Sequence, residues 1–386
     1  MRSVELFAGA GGLAIGMSNA GFHHAAVIEW DHDACETFRE NQRHHLKSVK
    51  QWPLYEGDVK LFDYASLNDI VVVSGGPPCQ PFSLGGKHRG YMDKRDMFPE
   101  AVRAIRELRP EAFIFENVKG LMRETFADYF EYIYLQLTHP SLIRRKCEEW
   151  KEHRARLEKY HTSQKDRTEY KVVFRLLNAA NYGVPQRRER VFFVGFRSDL
   201  GIEWTFPKGN YSETALLRSQ WVSGEYWDRH RVPKRERPQY TERQAMRVER
   251  LRNDCLFGAD KLPWLTVRDA IGDLPDPEKG VRNEISNHVF NPGARRYPGH
   301  TGSPLDEPAK TLKAGDHGVP GGENMLARVD GSVRYFTVRE AARLQSFPDN
   351  YIFRGAWTEA MRQLGNAVPV LVAETVARSV AEALRR

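Results

Sequence analysis

Cysteine is scarce in this 386-residue chain, with four residues, Cys35, Cys79, Cys147 and Cys255, spaced 44, 68 and 108 apart. No CxxC pair occurs, which argues against a clustered zinc site or a disulfide scaffold and fits reduced thiols. No apolar run approaches the roughly 18 residues that a membrane-spanning helix needs. The sequence opens MRSVELF, with no room for a signal peptide before its first strand, so a cytoplasmic location is expected. Neither sign of charge dominates: 58 Lys and Arg against 51 Asp and Glu leave +7, which admits a polyanionic partner without demanding one. No internal repeat is present. What the chain has is apolar material, 41% hydrophobic with 20 Phe and 8 Trp, enough to fill a core and too much for a disordered segment. Its length suits one large α/β domain and a second, smaller one.

The first two hundred residues alternate strand and helix patterns. Val4–Phe7, Ala25–Glu29, Asp69–Val73, Ala112–Phe115 and Val191–Val194 are short apolar runs bounded by turn residues, as in strands buried on both faces. Helix patterns follow the Gly-rich Ala8–Gly12 as far as Met17, cover Asp33–Asn41, and span Phe98–Leu108, stopping before Pro110. Such alternation predicts a doubly wound, mostly parallel sheet. Residues 141–190 interrupt it with 14 basic and 7 acidic side chains, read as a solvated helical insertion or, less simply, as a phosphate-facing surface. From about 201 to 350 the alternation disappears, and more than half of the 21 prolines fall there with scattered Trp and Tyr. That stretch is expected to be a separate, irregular domain. A helical tail, Val370–Leu384, returns to the first, giving boundaries of 1–200 plus 352–386 and 201–351.

Four groups of residues carry chemistry. Phe7-Ala8-Gly9-Ala10-Gly11-Gly12 follows a strand, where glycine lets the backbone approach a ligand and a helix N-terminus offers N–H groups. Glu29 ends the second strand, where an acid meets ribose hydroxyls in nucleotide-binding folds, although the glycines alone fit a tight turn as well. Asp58 after Gly57 suits an adenine amino group, or a turn or helix cap. Second, Val71–Ser83 runs a buried strand into Gly75-Gly76-Pro77-Pro78-Cys79, a stiff turn presenting a thiol at the carboxyl end of the sheet. The glycines at 85, 86 and 90 suit a lid over it, or a plain surface loop. Third, Glu116 in Phe115-Glu116-Asn117-Val118 brings an acid beside that thiol if the two strands are neighbours, which suggests acid catalysis on a ring nitrogen. Fourth, Arg188 and Arg190 share a face if both lie on the strand, so two guanidinium groups could converge on an oxyanion.

Together these blocks resemble the cytosine-C5 DNA methyltransferases. They stand in the family's order: Phe7–Gly12, Glu29-Trp30-Asp31, Gly57-Asp58, Pro77-Pro78-Cys79-Gln80, Glu116-Asn117-Val118, Gln186–Arg190, Arg339–Gln345 and Gly365-Asn366-Ala367-Val368. Positions 4–195 and 334–377 are covered; roughly 200–330 is not, and there this family keeps its variable target-recognition domain. The resemblance implies an α/β fold, the Rossmann-like doubly wound mixed sheet of S-adenosylmethionine-dependent methyltransferases, with a second, smaller, irregular target-recognition domain. It implies that Cys79 adds to C6 of a flipped cytosine, that Glu116 donates to N3, and that Arg190, with Arg188, holds O2. It implies S-adenosylmethionine bound by Phe7, Gly9, Gly11, Gly12, Leu13, Glu29, Trp30, Asp58, Pro78, Asn366 and Ala367, with S-adenosylhomocysteine as product and no metal. Contacts to double-stranded DNA fall on Gln80, Ser83, Lys87, Arg95 and Gln186, with the loop from Ser83 to Arg95 closing over the flipped base.

The sequence departs from the family pattern at Ala367, where Ser is frequent, and in the long charged segment 141–170. A dehydrogenase would use Gly9–Ala14 and Glu29 but leaves Pro-Pro-Cys-Gln, Glu-Asn-Val and the arginine pair unexplained. A tRNA cytosine methyltransferase of the same fold has less need of a groove-reading domain. A silent DNA-binding relative should have lost Cys79, Glu116 or Arg190, all of which are present. The expected protein is a monomeric modification methylase, acting alone or beside a restriction endonuclease that reads the same site.

Overall fold

The computed structural model describes residues 1–78, 96–163, 168–253, 260–280, 285–315 and 324–386. The chain divides into two compact units. The first takes Met1–Leu177, Glu189–Pro207 and Ala373–Arg386; the second takes Asn178–Arg188 and Lys208–Val372. These junctions lie at 207/208 and 372/373, against the 200/201 and 351/352 read from composition, and the short 178–188 segment goes with the second unit.

The first unit is built on a seven-stranded sheet of β1 (Arg2–Leu6), β2 (His23–Glu29), β3 (Leu54–Glu56), β4 (Ile70–Gly75), β5 (Ala112–Val118), β6 (Tyr170–Asn178) and β7 (Glu189–Arg197). Their order is β3-β2-β1-β4-β5-β7-β6. β1, β2, β3, β4 and β5 pair in parallel, whereas β7 runs antiparallel to β5, so the sheet is mixed. Val72, Val73, Phe113, Ile114 and Phe115 are wholly buried, which is why these strands read as unbroken apolar runs. The chain moves outward from β1 to β3 on one side and from β4 to β5 on the other. The order therefore reverses between β1 and β4, and the carboxyl ends of those two strands flank the crevice where such sheets bind ligands.

Helices α1 (Gly12–Asn19), α2 (His32–Arg43), α3 (Phe98–Leu108), α4 (Ala127–Thr138) and α5 (Trp150–Ser163) belong to this unit. α3 has the bounds the sequence implied: Pro99 opens its first turn and Arg109, in a left-handed conformation (φ 45°), stops it before Pro110. β6 and α4 carried no sequence signal strong enough to be read. Of the charged stretch 141–190, Trp150–Ser163 is helical, as expected, whereas Tyr170–Asn178 forms the strand β6. In the helix Arg154 meets Asp128, Glu131 and Glu158 at 2.7, 2.9 and 2.6 Å, and Arg156 meets Glu148 at 2.8 Å, so these guanidinium groups are engaged within the protein.

The second unit has little regular sheet. It contains α6 (Glu213–Trp221), α7 (Glu225–Arg229), α8 (Glu242–Asn253), α9 (Val267–Ile271), α10 (Val338–Leu344) and α11 (Trp357–Asn366), with strands of two or three residues between them. α12 (Val370–Leu384) leads from it back into the first unit. Among the described residues no helix is long and apolar enough to cross a membrane.

Candidate active site

At the carboxyl end of β1 the chain makes a strained turn. Phe7 has φ 54°, which costs a non-glycine residue roughly 1–3 kcal/mol and persists where the surroundings enforce it. Gly9 (φ 53°) and Gly11 (φ 81°) follow in the same left-handed region. A Cβ on Gly11 would lie 2.6 Å from the Phe38 ring, whereas one on Gly9 would meet nothing within 4 Å. Gly11 is thus needed to seat α1 on α2, and Gly9 faces open space.

Glu29, at the end of β2, pins this turn. Its Oε2 accepts from the Gly9 N–H at 2.6 Å, and its Oε1 accepts from the N–H groups of Trp30 and Asp31 at 2.9 Å each. Burial pushes the carboxyl above its ordinary range while the three N–H groups pull it back. An ionised carboxylate has about four acceptor positions, so one on Oε2 remains for a ligand hydroxyl. The next residue, Trp30, is 77% exposed, an unusual state for an indole. Asp58 caps a short helical turn, with Oδ1 accepting from Lys60 N–H, so the capping reading of this residue holds in the structure. Leu13 is buried in α1 beside Gly12.

β4 and β5 are parallel neighbours, Gly75 opposite Phe115, which meets the condition for bringing Glu116 to the Gly-Pro turn. Gly75 is required there, since a Cβ would come within 2.5 Å of the Leu6 carbonyl oxygen. Asn117 Nδ2 donates to Pro77 O at 2.9 Å, and Met97 N–H donates to Pro78 O at 3.1 Å. The turn is therefore tied to β5 and to the start of α3. A Cβ on Gly76 would sit 3.5 Å from Glu116 Oε2, which places that carboxylate against the turn. Cys79, Gln80, Ser83, Lys87 and Arg95 lie outside the described residues.

Glu116 is 6% exposed, and its Oε1 lies 2.8 Å from Arg190 Nε. The register explains the pairing: Glu116 faces Phe192 on antiparallel β7, so Arg190 is its diagonal neighbour. Burial lowers the Arg190 guanidinium from its ordinary value, and the Glu116 carboxylate opposes that. An acid and a cation thus stand together beside the exit of β4.

Arg188 and Arg190 do not converge. β7 begins at Glu189, so Arg188 precedes the strand and the alternation argument does not reach it. Its guanidinium is buried and donates to the carbonyls of Leu312, Gly365 and Ala367. Gln186, expected at DNA, is fully buried; its Oε1 accepts from Leu312 N–H and its Nε2 donates to Leu344 O, both at 3.2 Å. Asn366 ends α11 with an exposed side chain, between buried Gly365 and Ala367.

Two polar residues with no assigned role also stand near the switch point. Glu5, in mid-β1, is 1% exposed, accepts from the Ser74 hydroxyl on β4, and is pushed up to about 8 by burial. A carboxylate inside the apolar run Val4-Glu5-Leu6 was the available signal. Asn117 was legible only as part of its motif.

A family model described as C-5 cytosine-specific DNA methylase matches residues 1–139 and 151–382. The chain belongs to that family. Among its relatives is the Type II methyltransferase M.NgoMIV of Neisseria gonorrhoeae, 30% identical over 393 residues, covering 100% of this chain and 98% of that one. Another is the Type II methyltransferase M.Eco47II of Escherichia coli, 31% identical over 387 residues, covering 99% of this chain and 79% of that one. The methylase fold recurs in a solved DNA modification methyltransferase encoded within an E. coli prophage, with TM-score 0.59, 21% identity and 100% of both chains covered. It recurs also in the S. pombe Dnmt2 methyltransferase, with TM-score 0.57, 16% identity and 100% of both chains covered. The mixed sheet of the methylase is thus the one the sequence implied.

Proposed function

We propose that this methylase transfers a methyl group to C5 of a cytosine flipped out of double-stranded DNA, within a short specific sequence, through a covalent bond between Cys79 and C6. The observation that carries this reading is the Glu116–Arg190 pair, held on adjacent strands beside the turn that leads into Cys79. Cytosine C5 is a weak nucleophile. Addition of the Cys79 thiolate to C6, with a proton passing from Glu116 to N3, breaks the C5–C6 double bond and places its electron pair at C5. A guanidinium 2.8 Å from a carboxylate favours the ionised acid. Donation from Arg190 to the base O2 would draw that charge away from Glu116 and free the acid to hold the proton that N3 receives. Once C5 carries the methyl group, loss of the C5 proton to a base restores the double bond and expels the thiolate, and N3 returns its proton to Glu116. A stacked base cannot reach such a site, so the target must leave the duplex.

The described residues fit S-adenosylmethionine. Phe7 and the exposed Trp30 offer aromatic faces, the remaining acceptor position on Glu29 suits a ribose hydroxyl, and Gly9 leaves open space beside it. Bound there, the cofactor supplies the methyl group that C5 accepts. By family likeness Asp58, Pro78, Asn366 and Ala367 complete its contacts. Residues 201–351 are proposed to read the DNA sequence, with the protein acting as a monomer and a restriction endonuclease as its cellular counterpart.

The test is methyl transfer from labelled S-adenosylmethionine to unmethylated genomic DNA and, separately, to tRNA, followed by bisulfite sequencing of the DNA. Label in DNA at cytosines of one short motif is the expected result. Label confined to tRNA would overturn the DNA assignment, and label at adenines would overturn the chemistry.

A further inference from the structure

Arg188 is 1% exposed, and its guanidinium joins two segments of the second unit. Nη1 donates to Leu312 O at 3.2 Å; Nη2 donates to Gly365 O at 2.7 Å and to Ala367 O at 2.8 Å. The last two carbonyls flank Asn366. They belong to the end of α11, where carbonyls have no partner within the helix, and Pro369 has no N–H to offer the Gly365 carbonyl. The preceding carbonyl, Leu364 O, is taken by Gln345 Nε2 at 2.7 Å. From the other side, a Cβ on Gly365 would lie 2.3 Å from Ala314 N and 2.4 Å from Lys313 C, so the 312–314 segment packs directly on this turn. Gln186 Oε1 holds Leu312 N–H at 3.2 Å and fixes that segment in turn. One rigid fork of donors therefore sets where the chain leaves α11 and where Asn366 emerges.

We propose that Arg188 is a positioning residue for Asn366, which sets the affinity for S-adenosylmethionine and does not touch the target base. This rests on the reading that Asn366 contacts the cofactor, and it separates Arg188 from Arg190 in role.

The experiment titrates S-adenosylhomocysteine, without DNA, into the full chain and into the variants Arg188→Met, Arg188→Lys, Asn366→Ala and the Arg188→Met/Asn366→Ala double. KM for S-adenosylmethionine and kcat on genomic DNA are measured in parallel. Arg188→Met is expected to weaken binding by about tenfold or more, with Arg188→Lys between it and wild type, because each tenfold step corresponds to losing about one good polar contact. The double variant should bind no more weakly than the worse single, since both changes remove the same contact. For Arg188→Met and Arg188→Lys, the change should fall on KM for S-adenosylmethionine, with kcat at saturating cofactor near wild type. Normal S-adenosylhomocysteine binding with a collapsed kcat would place Arg188 at the base and overturn the proposal. Strictly additive losses, the mark of a general structural defect, would overturn it too. If Asn366→Ala alone weakens binding, the proposal falls and the Asn366 reading stands; if neither single does, both fall. Should Arg188→Met not fold, Arg188→Lys combined with Asn366→Ala provides the same cycle and the same decision.

Discussion

The two units bury polar groups in opposite ways. In the first, the buried titratable groups at the middle of the sheet are held neutral: Glu5 is pushed up to about 8 and His24 down to about 4, each by burial, with Ser74 and Ser3 as hydrogen-bond partners. In the second, buried arginines keep their charge. Arg339 donates to Ser286 O, Pro348 O and Tyr351 O; Arg188 donates to three carbonyls; Arg334 forms a two-armed pair with Glu340 at 2.7 and 2.6 Å. The difference follows from backbone accounting. A regular sheet satisfies its own N–H and C=O groups, so its core can be apolar. An irregular unit buries carbonyls that no ladder reaches, and an arginine, with five donors in a fixed fork, can supply several at once. Among the described residues, the charged pair that the first unit buries on its strands, Glu116 with Arg190, lies at the carboxyl end of the sheet, where chemistry is expected.

The sharpest way to break this comparison is Arg339→Met set against Phe113→Ala. If arginines hold the second unit together, Arg339→Met should cost roughly 3 kcal/mol or more, because three buried acceptors lose their donors. Phe113→Ala, in the wholly buried centre of β5, should cost about 3–5 kcal/mol through its cavity. Denaturant midpoints give the totals, and hydrogen exchange assigns them. Arg339→Met should deprotect the chain around 286 and 348–353, and Phe113→Ala the strands of the sheet. A neutral or stabilising Arg339→Met, as when an apolar side chain replaces a buried ion pair at no loss, would mean that packing holds both units alike.

The same contrast explains what was legible in the sequence. β4, β5, α3 and α12 could be read because apolar periodicity and Gly or Pro stops record how an element satisfies its own backbone. The place of Glu116 beside the Gly-Pro turn was legible because β4 and β5 are neighbours and both motifs end their strands. Arg188 and Gln186 were misplaced at the base and at DNA because nothing in a side chain's identity tells a donor aimed at a buried carbonyl from one aimed at a ligand. Only the start of β7 at Glu189 separates Arg188 from Arg190. The period-two argument fails one residue outside the strand, and the irregular unit offers no period to replace it.

A smaller effect should sharpen the neutral half of the comparison. The Glu5 carboxyl has its folded pKa raised to about 8 from 4.5, so the native state holds a proton that the unfolded chain releases. Its favourable contribution is complete below pH 4.5 and is lost as pH rises towards 8. Glu5→Gln keeps an acceptor for the Ser74 hydroxyl and removes the titration. It should therefore flatten the fall in stability across that window and leave the variant more stable at pH 7 by on the order of 2 kcal/mol. Midpoints measured from pH 5 to pH 9 decide the matter. A variant whose stability falls with pH as steeply as wild type would show that Glu5 is not held neutral.

The smallest change in stability is expected at Trp30, and there the interest lies in what does change. The indole is 77% exposed and Trp30 is held through its backbone, its N–H donating to Glu29 Oε1. Trp30→Ala leaves that bond in place and opens no cavity, so stability should move by no more than about 0.5 kcal/mol. An aromatic face so poorly covered gains its burial only when a ligand ring lies on it, and such contacts contribute about 1 kcal/mol beyond the area they cover. S-adenosylhomocysteine binding should therefore weaken about tenfold while the melting temperature stays put. A melting temperature that drops together with affinity would mean that Trp30 supports the Glu29 turn. Unchanged affinity would remove it from the cofactor site and leave Phe7 as the aromatic face that the strained turn at the end of β1 presents.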